Sequence, residues 1–294
     1  MCISIIIPSY NRANLLERTL ESIKSQSSPD WECIVVDDFS YDNTNTVVSL
    51  LMRDDSRISY YLNEHKKGAQ GARNTGLDHA KYDWVIFFDS DNIMHHDFVE
   101  KMQPNLTDNI DVCACCSDFI DIDKGPTGEI MNPHCYGHIH DNLFSGSSYV
   151  DFNHSAIRKS RLVEIGCLDE DCPSMQEWDT HIRLSKICNY SMIEESLIDY
   201  YVGGKDAISS DKKREVVGRL YILKKHIDEW KDRPISITRF AYQIYRLIMM
   251  NTDKNFRDVK LAELEKLVPF WGIRVRLCNV FAKIARRGRN VVQK

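Results

Sequence analysis

Three short runs of apolar residues constrain the fold of this chain most strongly. The runs CISIII, ECIVV and WVIFF begin at residues 2, 32 and 84, and polar residues follow each run within two positions. A strand that is buried on both faces of a parallel sheet has this nearly unbroken apolar character. The runs therefore predict interior strands of an α/β protein.

The segments around these runs indicate that strands alternate with helices. Apolar residues recur at helical spacing over residues 16–23, and Asn14 with Glu17 resembles a capping box at the start of that helix. Pro8 is expected to end the first strand. Similar patterns predict strands at 57–62 and 191–202 and helices at 68–80, at 177–187 and from about 212 onward. A strand–helix–strand unit implies parallel strands, so we expect a mostly parallel central sheet with flanking helices and a helical C-terminal extension.

Charge is divided unevenly along the chain. The whole chain carries a net charge of −5, yet residues 212–294 hold 21 Lys and Arg against 8 Asp and Glu, a net of +13. Residues 1–211 hold the other 17 basic and 35 acidic residues and carry −18. We therefore expect an acidic body, a boundary near residue 211, and a basic helical region that meets an anionic partner.

Polar residues follow the predicted strands where each strand ends. Residues 8–12 include a tyrosine and an arginine, residues 37–38 are two aspartates, and residues 89–91 contain two more. Because ligands of open parallel sheets bind at the carboxyl ends of the strands, these side chains are expected at one site. Carboxylate oxygens suit Mg2+ or Mn2+, which would also offset the charge of a diphosphate. The sequence therefore predicts nucleotide binding through a divalent cation.

Four motifs, in this order, resemble those of the family 2 glycosyltransferases of the GT-A fold: SIIIPSYNR, VVDDFSYDNT, GAQGARNTG and FFDSDN. The resemblance is strong over residues 1–125 and extends to about 210 through VEIGCLDED and MQEWDTHIRL. It implies a catalytic domain over 1–211, with a nucleotide-binding half to about 110 and an acceptor half over 111–211. The basic helical region would then cover 212–294.

The resemblance also implies an activity and roles for individual residues. The expected enzyme is an inverting, metal-dependent transferase that moves a sugar from a UDP-sugar to a hydroxyl of a glycan or lipid-linked glycan in surface-polysaccharide synthesis. Asp91 would bind Mn2+ or Mg2+, and Asp89 would contact the metal, its water or the ribose. Asn92 stands where the family usually has an acidic residue, which affects the expected metal shell. The other implied donor-site residues are Pro8, Tyr10, Arg12, Asp38, Arg73 and Ser90.

Two carboxylates are candidates for the catalytic base. Many family members carry EDxD before an arginine-containing helix, with the first aspartate as the base, and this chain has QEWD over residues 176–179. Glu177 falls on the base position, and Asp179 is the other candidate. The base would take a proton from the acceptor hydroxyl, whose oxygen attacks the anomeric carbon opposite the nucleotide. One base is enough for such an inverting displacement.

The C-terminal segment 269–289 has the pattern of a basic amphipathic helix. Apolar residues recur every three or four positions, and basic residues occupy another face, as in helices that lie at a membrane interface. A helix packed on the body or on a second subunit is the alternative, so an oligomer is possible. No apolar run reaches about 18 residues. We expect a cytoplasmic protein that is peripheral at the inner face of the cell membrane, with no nucleic-acid partner.

A sugar-nucleotide-binding protein, or a nucleotidyltransferase without sugar-transfer activity, is the alternative function. A nucleotidyltransferase uses a glycine-rich basic loop after the first strand, and residues 8–16 contain no glycine. A dinucleotide dehydrogenase would carry GxGxxG at that turn. A haloacid-dehalogenase-like phosphatase has its DxD pair on the first strand. A protein that only binds would have lost Asp91 or the carboxylates near 177, and this chain retains both.

Overall fold

The computed structural model describes residues 1–203 and 211–269 of the 294 residues. The chain divides into two compact units. Residues Met1–Asp171 and Gln176–Ala207 form the first unit, and the short segment Cys172–Met175 belongs to the second unit with the chain from Ile208 onward. All candidate site residues lie in the first unit. The division of this unit into donor and acceptor halves stays a prediction.

Strands and helices alternate in the first ninety residues, as the apolar runs predict. Strands β1 to β4 are parallel to one another and lie in the order β3-β2-β1-β4. Every side chain of β2 and β4 is buried, which explains the apolar runs CIVV in β2 and WVIF in β4. The elements are β1 (Ile3–Ser9), α1 (Ala13–Lys24), β2 (Trp31–Asp37), α2 (Thr44–Asp54), β3 (Ile58–Leu62), α3 (Ala69–His79) and β4 (Trp84–Phe87).

The second half of this unit extends the same sheet with strands of both directions. Its elements are β5 (Ile93–Met94), α4 (Phe98–Met102), β6 (Val112–Asp121), β7 (Gly125–Met131), α5 (His140–Ser145), β8 (Ser155–Arg158), α6 (Lys159–Glu164), α7 (Gln176–Leu184) and β9 (Tyr190–Val202). Within the described residues, nine strands form one sheet of order β3-β2-β1-β4-β8-β6-β9-β5, with β7 beside β6. Strands β6 and β9 are parallel, whereas β8 is antiparallel to both of its neighbours. The α/β class with a central sheet and flanking helices is therefore confirmed.

The second unit is helical, as the sequence predicts from residue 212. Its described elements are α8 (Lys212–Lys225), α9 (Ile227–Lys231), α10 (Pro234–Met250) and α11 (Lys254–Leu267). Trp230 stacks on Phe240 with ring centroids 4.7 Å apart, which packs α9 against α10. Among the described helices, none combines the length and hydropathy needed to cross a bilayer. The predicted amphipathic segment lies outside the described residues from position 270 onward.

Two local predictions near the start of the chain are wrong. Asn14 and Glu17 form no capping box, because α1 begins at Ala13, whose backbone N–H donates to Oδ2 of Asp42 over 3.0 Å. A carboxylate from the loop after β2 therefore caps this helix. Pro8 does not end β1, which continues to Ser9. The pairing of β1 with β4 ends at Ile6, two residues before Pro8. Proline has no backbone N–H, but at this position its absence costs no hydrogen bond between β1 and β4.

Gly76 allows α3 to lie directly on β1. A Cβ atom at this position would lie 2.2 Å from Cγ2 of Ile6, which no real side chain tolerates. Glycine inside a helix costs about 1 kcal/mol relative to alanine, and the close approach of helix and strand explains its presence. The contact fixes the position of Arg73, which lies one turn earlier on α3 and is only 4% exposed.

Candidate active site

Hydrogen bonds join the loops that follow β1 and β2 at the carboxyl edge of the sheet. The backbone N–H of Asn11 donates to Oγ of Ser40, and that of Tyr41 donates to Oδ1 of Asn11, each over 2.9 Å. Asn11 and Phe39 have φ values of 51° and 65°, in the left-handed region that a bulky residue such as Phe rarely adopts. Backbone strain of this kind concentrates at functional segments.

Asp38 and Tyr10 lie where these loops meet. The Asp38 carboxylate is buried and accepts a hydrogen bond from Nδ2 of Asn63 over 2.7 Å. Tyr10 is 44% exposed, and Nζ of Lys67 lies 5.1 Å from its ring centroid. An exposed ring near a carboxylate can stack on a base while the carboxylate accepts a ring N–H. Pro8 is half-buried within β1, and Asn63 and Lys67 are neighbours that the motifs did not indicate.

Arg73 extends from α3 to Asp89 at the end of β4. Its Nη2 lies 2.8 Å from Oδ1 of Asp89, and its Nη1 donates to Gln70 over 2.9 Å and to Gln176 over 3.3 Å. The guanidinium carbon lies 5.0 Å from the ring centroid of Phe152. Nε of Arg73 is buried without a hydrogen-bond partner among the described residues. An unpaired buried donor of this kind is suited to an anionic ligand or a water molecule.

Asp91 pairs with Arg12 at the same edge of the sheet. Nη1 of Arg12 lies 2.8 Å from Oδ2 of Asp91. Ser90, which lies between Asp89 and Asp91 in the sequence, is buried. Burial and the negative charge of Asp89 raise the pKa of Asp91 to about 6, although Arg12 opposes the shift. The surroundings therefore disfavour the ionised carboxylate, which an additional positive charge would stabilise.

Asn153, in the loop before β8, holds Asp89 from the other side. Its Nδ2 donates to Oδ2 of Asp89 over 2.8 Å, and its Oδ1 accepts from the Asp89 backbone N–H over 2.7 Å. The same Nδ2 donates to Oδ1 of Asp151 over 2.7 Å. Burial and the negative charges of Glu177 and Asp89 raise the pKa of Asp151 to about 7. The motifs did not predict Asn153 or Asp151, because no apolar run or family motif marks this loop.

Helix α7 places its two carboxylates in different surroundings. Glu177 is half-buried, and burial raises its pKa, while Arg73 lowers it in part and Asp89 raises it. Asp179 is fully buried, and its Oδ2 lies 3.0 Å from Nε of Arg183. Nη1 of Arg183 also donates to two backbone carbonyl groups. The charges of the Asp89 site thus act on Glu177, whereas Asp179 is held in an internal ion pair.

The carboxyl edge fits a divalent cation. Mg2+ commonly takes one or two protein carboxylates and completes its shell with water and substrate phosphates. Both oxygens of Asp89 already accept hydrogen bonds, from Arg73 and from Asn153. Among the described side chains, Arg12 is the hydrogen-bond partner of Asp91. Asp91 is therefore better placed than Asp89 to bind a metal ion directly.

His95, Asp118 and Asp199 form a different group of possible ligands. Among the described residues, their ligand atoms lie within 4.8 Å of one another. Nε2 of His95 lies 3.0 Å from Oδ1 of Asp199, and Asp118 is opposite Asp199 in the pairing of β6 with β9. An ordinary ion pair accounts for this group, and it includes neither Asp89 nor Asp91.

Known proteins with similar sequences are glycosyltransferases. A Campylobacter jejuni protein named GalNAc(5)-diNAcBac-PP-undecaprenol beta-1,3-glucosyltransferase is 46% identical over 91 residues, which are 31% of this chain and 29% of that protein. The aligned segments span only 29 to 39% of the length of this relative and of two further curated relatives.

Solved structures of low sequence identity share the fold. The 1–349 fragment of S. aureus TarS in complex with UDP-GlcNAc has a TM-score of 0.64 at 15% identity, over 94% of this chain and 92% of that chain. The mannosyltransferase PcManGT from Pyrobaculum calidifontis, in complex with GDP-Man and Mn2+, has a TM-score of 0.63 at 17% identity, over 96% of this chain and 80% of that chain. These likenesses confirm the predicted GT-A type of fold.

The family prediction is tested directly by a family model. The model described as Glycosyl transferase family 2 matches residues 4–166, which is more than half of the chain. The four motifs that carried the resemblance all lie within this match. We conclude that the chain belongs to glycosyl transferase family 2.

Proposed function

We propose that this protein is an inverting, metal-dependent glycosyltransferase that uses a UDP-sugar. The observation that carries the proposal is the convergence of Asp89 and Asp91, each paired with an arginine, on the site whose charges also act on Glu177. Such a site can bind a metal diphosphate and hold a base close to the transferred sugar. A protein that only binds sugar nucleotides would not need a half-buried glutamate as a base at this position.

Asp38 and Tyr10 support a uridine donor. The buried carboxylate of Asp38 can accept the N–H of a uracil ring, and the exposed ring of Tyr10 can stack on that base. Arg73, with an unpaired Nε, would bind diphosphate oxygens together with Arg12. The TarS fragment was solved with UDP-GlcNAc.

Asp91 and Glu177 would have different roles in the reaction. Asp91 would hold Mn2+ or Mg2+, which when bound stabilises the charge of the departing diphosphate. Glu177 would accept the proton of the acceptor hydroxyl as its oxygen attacks the anomeric carbon. A raised pKa makes Glu177 a stronger base than an ordinary glutamate, although a larger fraction is protonated at neutral pH.

A lipid-linked glycan is the proposed acceptor, for the synthesis of a surface polysaccharide. The named Campylobacter jejuni relative bears the words PP-undecaprenol in its name. The net charge of +13 over residues 212–294 is suited to an anionic membrane at the inner face of the cell. Peripheral attachment would bring the site close to an acceptor that is fixed in the bilayer.

A panel of nucleotide sugars tests this proposal. UDP-, GDP- and dTDP-sugars would be incubated with the protein and Mn2+ or Mg2+, and release of free nucleotide would be measured with and without undecaprenyl-diphosphate glycans. Release from UDP-sugars, increased by a lipid-linked acceptor, is the expected result. Binding without turnover of any donor and acceptor would favour the sugar-nucleotide-binding alternative.

A further inference from the structure

The side-chain amide of Asn153 uses its full hydrogen-bonding capacity inside the protein. Its Nδ2 donates to Oδ2 of Asp89 over 2.8 Å and to Oδ1 of Asp151 over 2.7 Å. Its Oδ1 accepts from the backbone N–H of Asp89 over 2.7 Å and from Nδ2 of Asn92 over 3.0 Å. Asn153 is 1% exposed, so water cannot replace these four bonds. The orientation of the amide is fixed, because a backbone N–H can only donate.

We propose that Asn153 is a positioning residue for the donor site, and that it sets the direction of the Asp89 carboxylate through matched contacts with Asn92 and Asp151. This inference rests on the proposed function, in which Asp89 is part of the donor and metal site. Asn153 forms hydrogen bonds with both the backbone N–H and the side-chain carboxylate of Asp89. Arg73 contacts Oδ1, the other carboxylate oxygen of Asp89, so hydrogen bonds orient both oxygens of this carboxylate.

Asn92 is matched to Asn153 by its own contacts. Its Oδ1 accepts from the backbone N–H of Tyr201 over 2.9 Å, so its Nδ2 must face Oδ1 of Asn153. A carboxylate at position 92 would point an oxygen at that Oδ1, and the repulsion would act on the atom that holds the Asp89 N–H. The amide at position 92, where an acid is usual in this family, is therefore explained by its partner.

The proposal predicts weaker nucleotide binding by the isosteric variant Asn153→Asp. An ionised carboxylate at 153 would face the oxygens of Asp89 and Asp151, which lie 2.8 and 2.7 Å from the present amide nitrogen. The affinity of the variant for UDP with Mn2+ should therefore fall about tenfold or more at pH 8.

Calorimetric titration with UDP and Mn2+ at pH 8 is the test, with thermal unfolding measured in parallel. Ser155→Ala is the matched control, because buried Ser155, the first residue of β8, donates to the Asp151 carbonyl over 2.7 Å and, among the described hydrogen bonds, makes none with Asp89. The control should lose stability but keep affinity within about twofold. Asn92→Asp should weaken affinity, also at pH 8.

Parent-like affinity of folded Asn153→Asp at pH 8 would overturn the positioning role, and so would an equal loss in Ser155→Ala. Failure of the parent protein to bind UDP with Mn2+ is a separate outcome. It would overturn the proposed function, and the role assigned to Asn153 with it.

Discussion

At the scale of single residues, the proposed function gives the two carboxylates of α7 different roles, with Glu177 as the base and Asp179 as a structural residue. Glu177→Gln should retain donor affinity but reduce turnover by about 10²–10⁴, because the acceptor proton loses its destination. Asp179→Asn should instead lower the free energy of unfolding by about 3 kcal/mol, because it leaves Arg183 without its buried partner. Single-turnover kinetics and thermal unfolding of both variants distinguish the roles. A fully active Glu177→Gln, with an inactive but stable Asp179→Asn, would reverse the assignment.

Asp151 gives the protein a pH-dependent stability. Its pKa rises from an ordinary 3.8 to about 7 in the folded protein, mainly through burial. Between these values the folded state binds more protons than the unfolded state, so stability falls as pH rises through this window. Asp151→Asn removes this titration. As pH rises from 4 to 8, the free energy of unfolding of the variant should therefore increase relative to that of the parent by on the order of 2–4 kcal/mol. Chemical denaturation across this range, without metal, measures the difference. Parallel stability curves for the two proteins would contradict it.

The sequence predicts the charged residues of the candidate site but not the amide side chains that contact them. Asp89, Asp91 and Arg12 follow the ends of predicted strands, where ligands of such sheets bind. Arg73 lies in α3 and is indicated by the family resemblance. The bonds of Asn153 to Asp89 and Asn92 join residues about sixty positions apart in the sequence. Nothing in its local sequence distinguishes it from an ordinary loop asparagine, so only the tertiary structure could reveal it.

At the scale of elements, Asp42 is the cap of two helices. Its Oδ2 accepts the Ala13 N–H over 3.0 Å at the start of α1, and its Oδ1 accepts the Thr44 N–H over 3.0 Å at the start of α2. Asp42→Ala should therefore cost about 1–2 kcal/mol of stability. Asn14→Ala and Glu17→Ala are the controls, and each should change stability by less than about 0.5 kcal/mol. Urea denaturation compares the variants, and a larger cost in either control would restore the capping box.

Strands β1, β2 and β4 of the first half could be predicted because they are almost entirely buried and each contains an apolar run. The second half was harder, since β5 and β8 have only two and four residues and β7 is mostly exposed. Strands this short depend on their neighbours for their conformation. Strand β9, with thirteen residues, and helix α7 were recognised from the sequence.

At the scale of the whole molecule, the charge division predicts attachment to membranes. Each basic residue near an anionic surface contributes on the order of 1 kcal/mol, screened by salt. Removal of residues 270–294 takes away seven of the basic residues and the predicted amphipathic segment but leaves every described helix intact. Sedimentation with anionic vesicles should then fall while hydrolysis of the free donor stays within about twofold. If the full-length chain stays in the supernatant at low salt, the segment serves packing or assembly instead.

Metal dependence tests the central claim most directly. Nucleotide release from a UDP-sugar would be measured for the parent and for Asp91→Ala, each with Mn2+ and again after EDTA. The account predicts that EDTA abolishes release by the parent, that added Mn2+ restores it, and that Asp91→Ala is inactive in every condition. Full release in EDTA, or an Asp91→Ala variant as active as the parent, would contradict it.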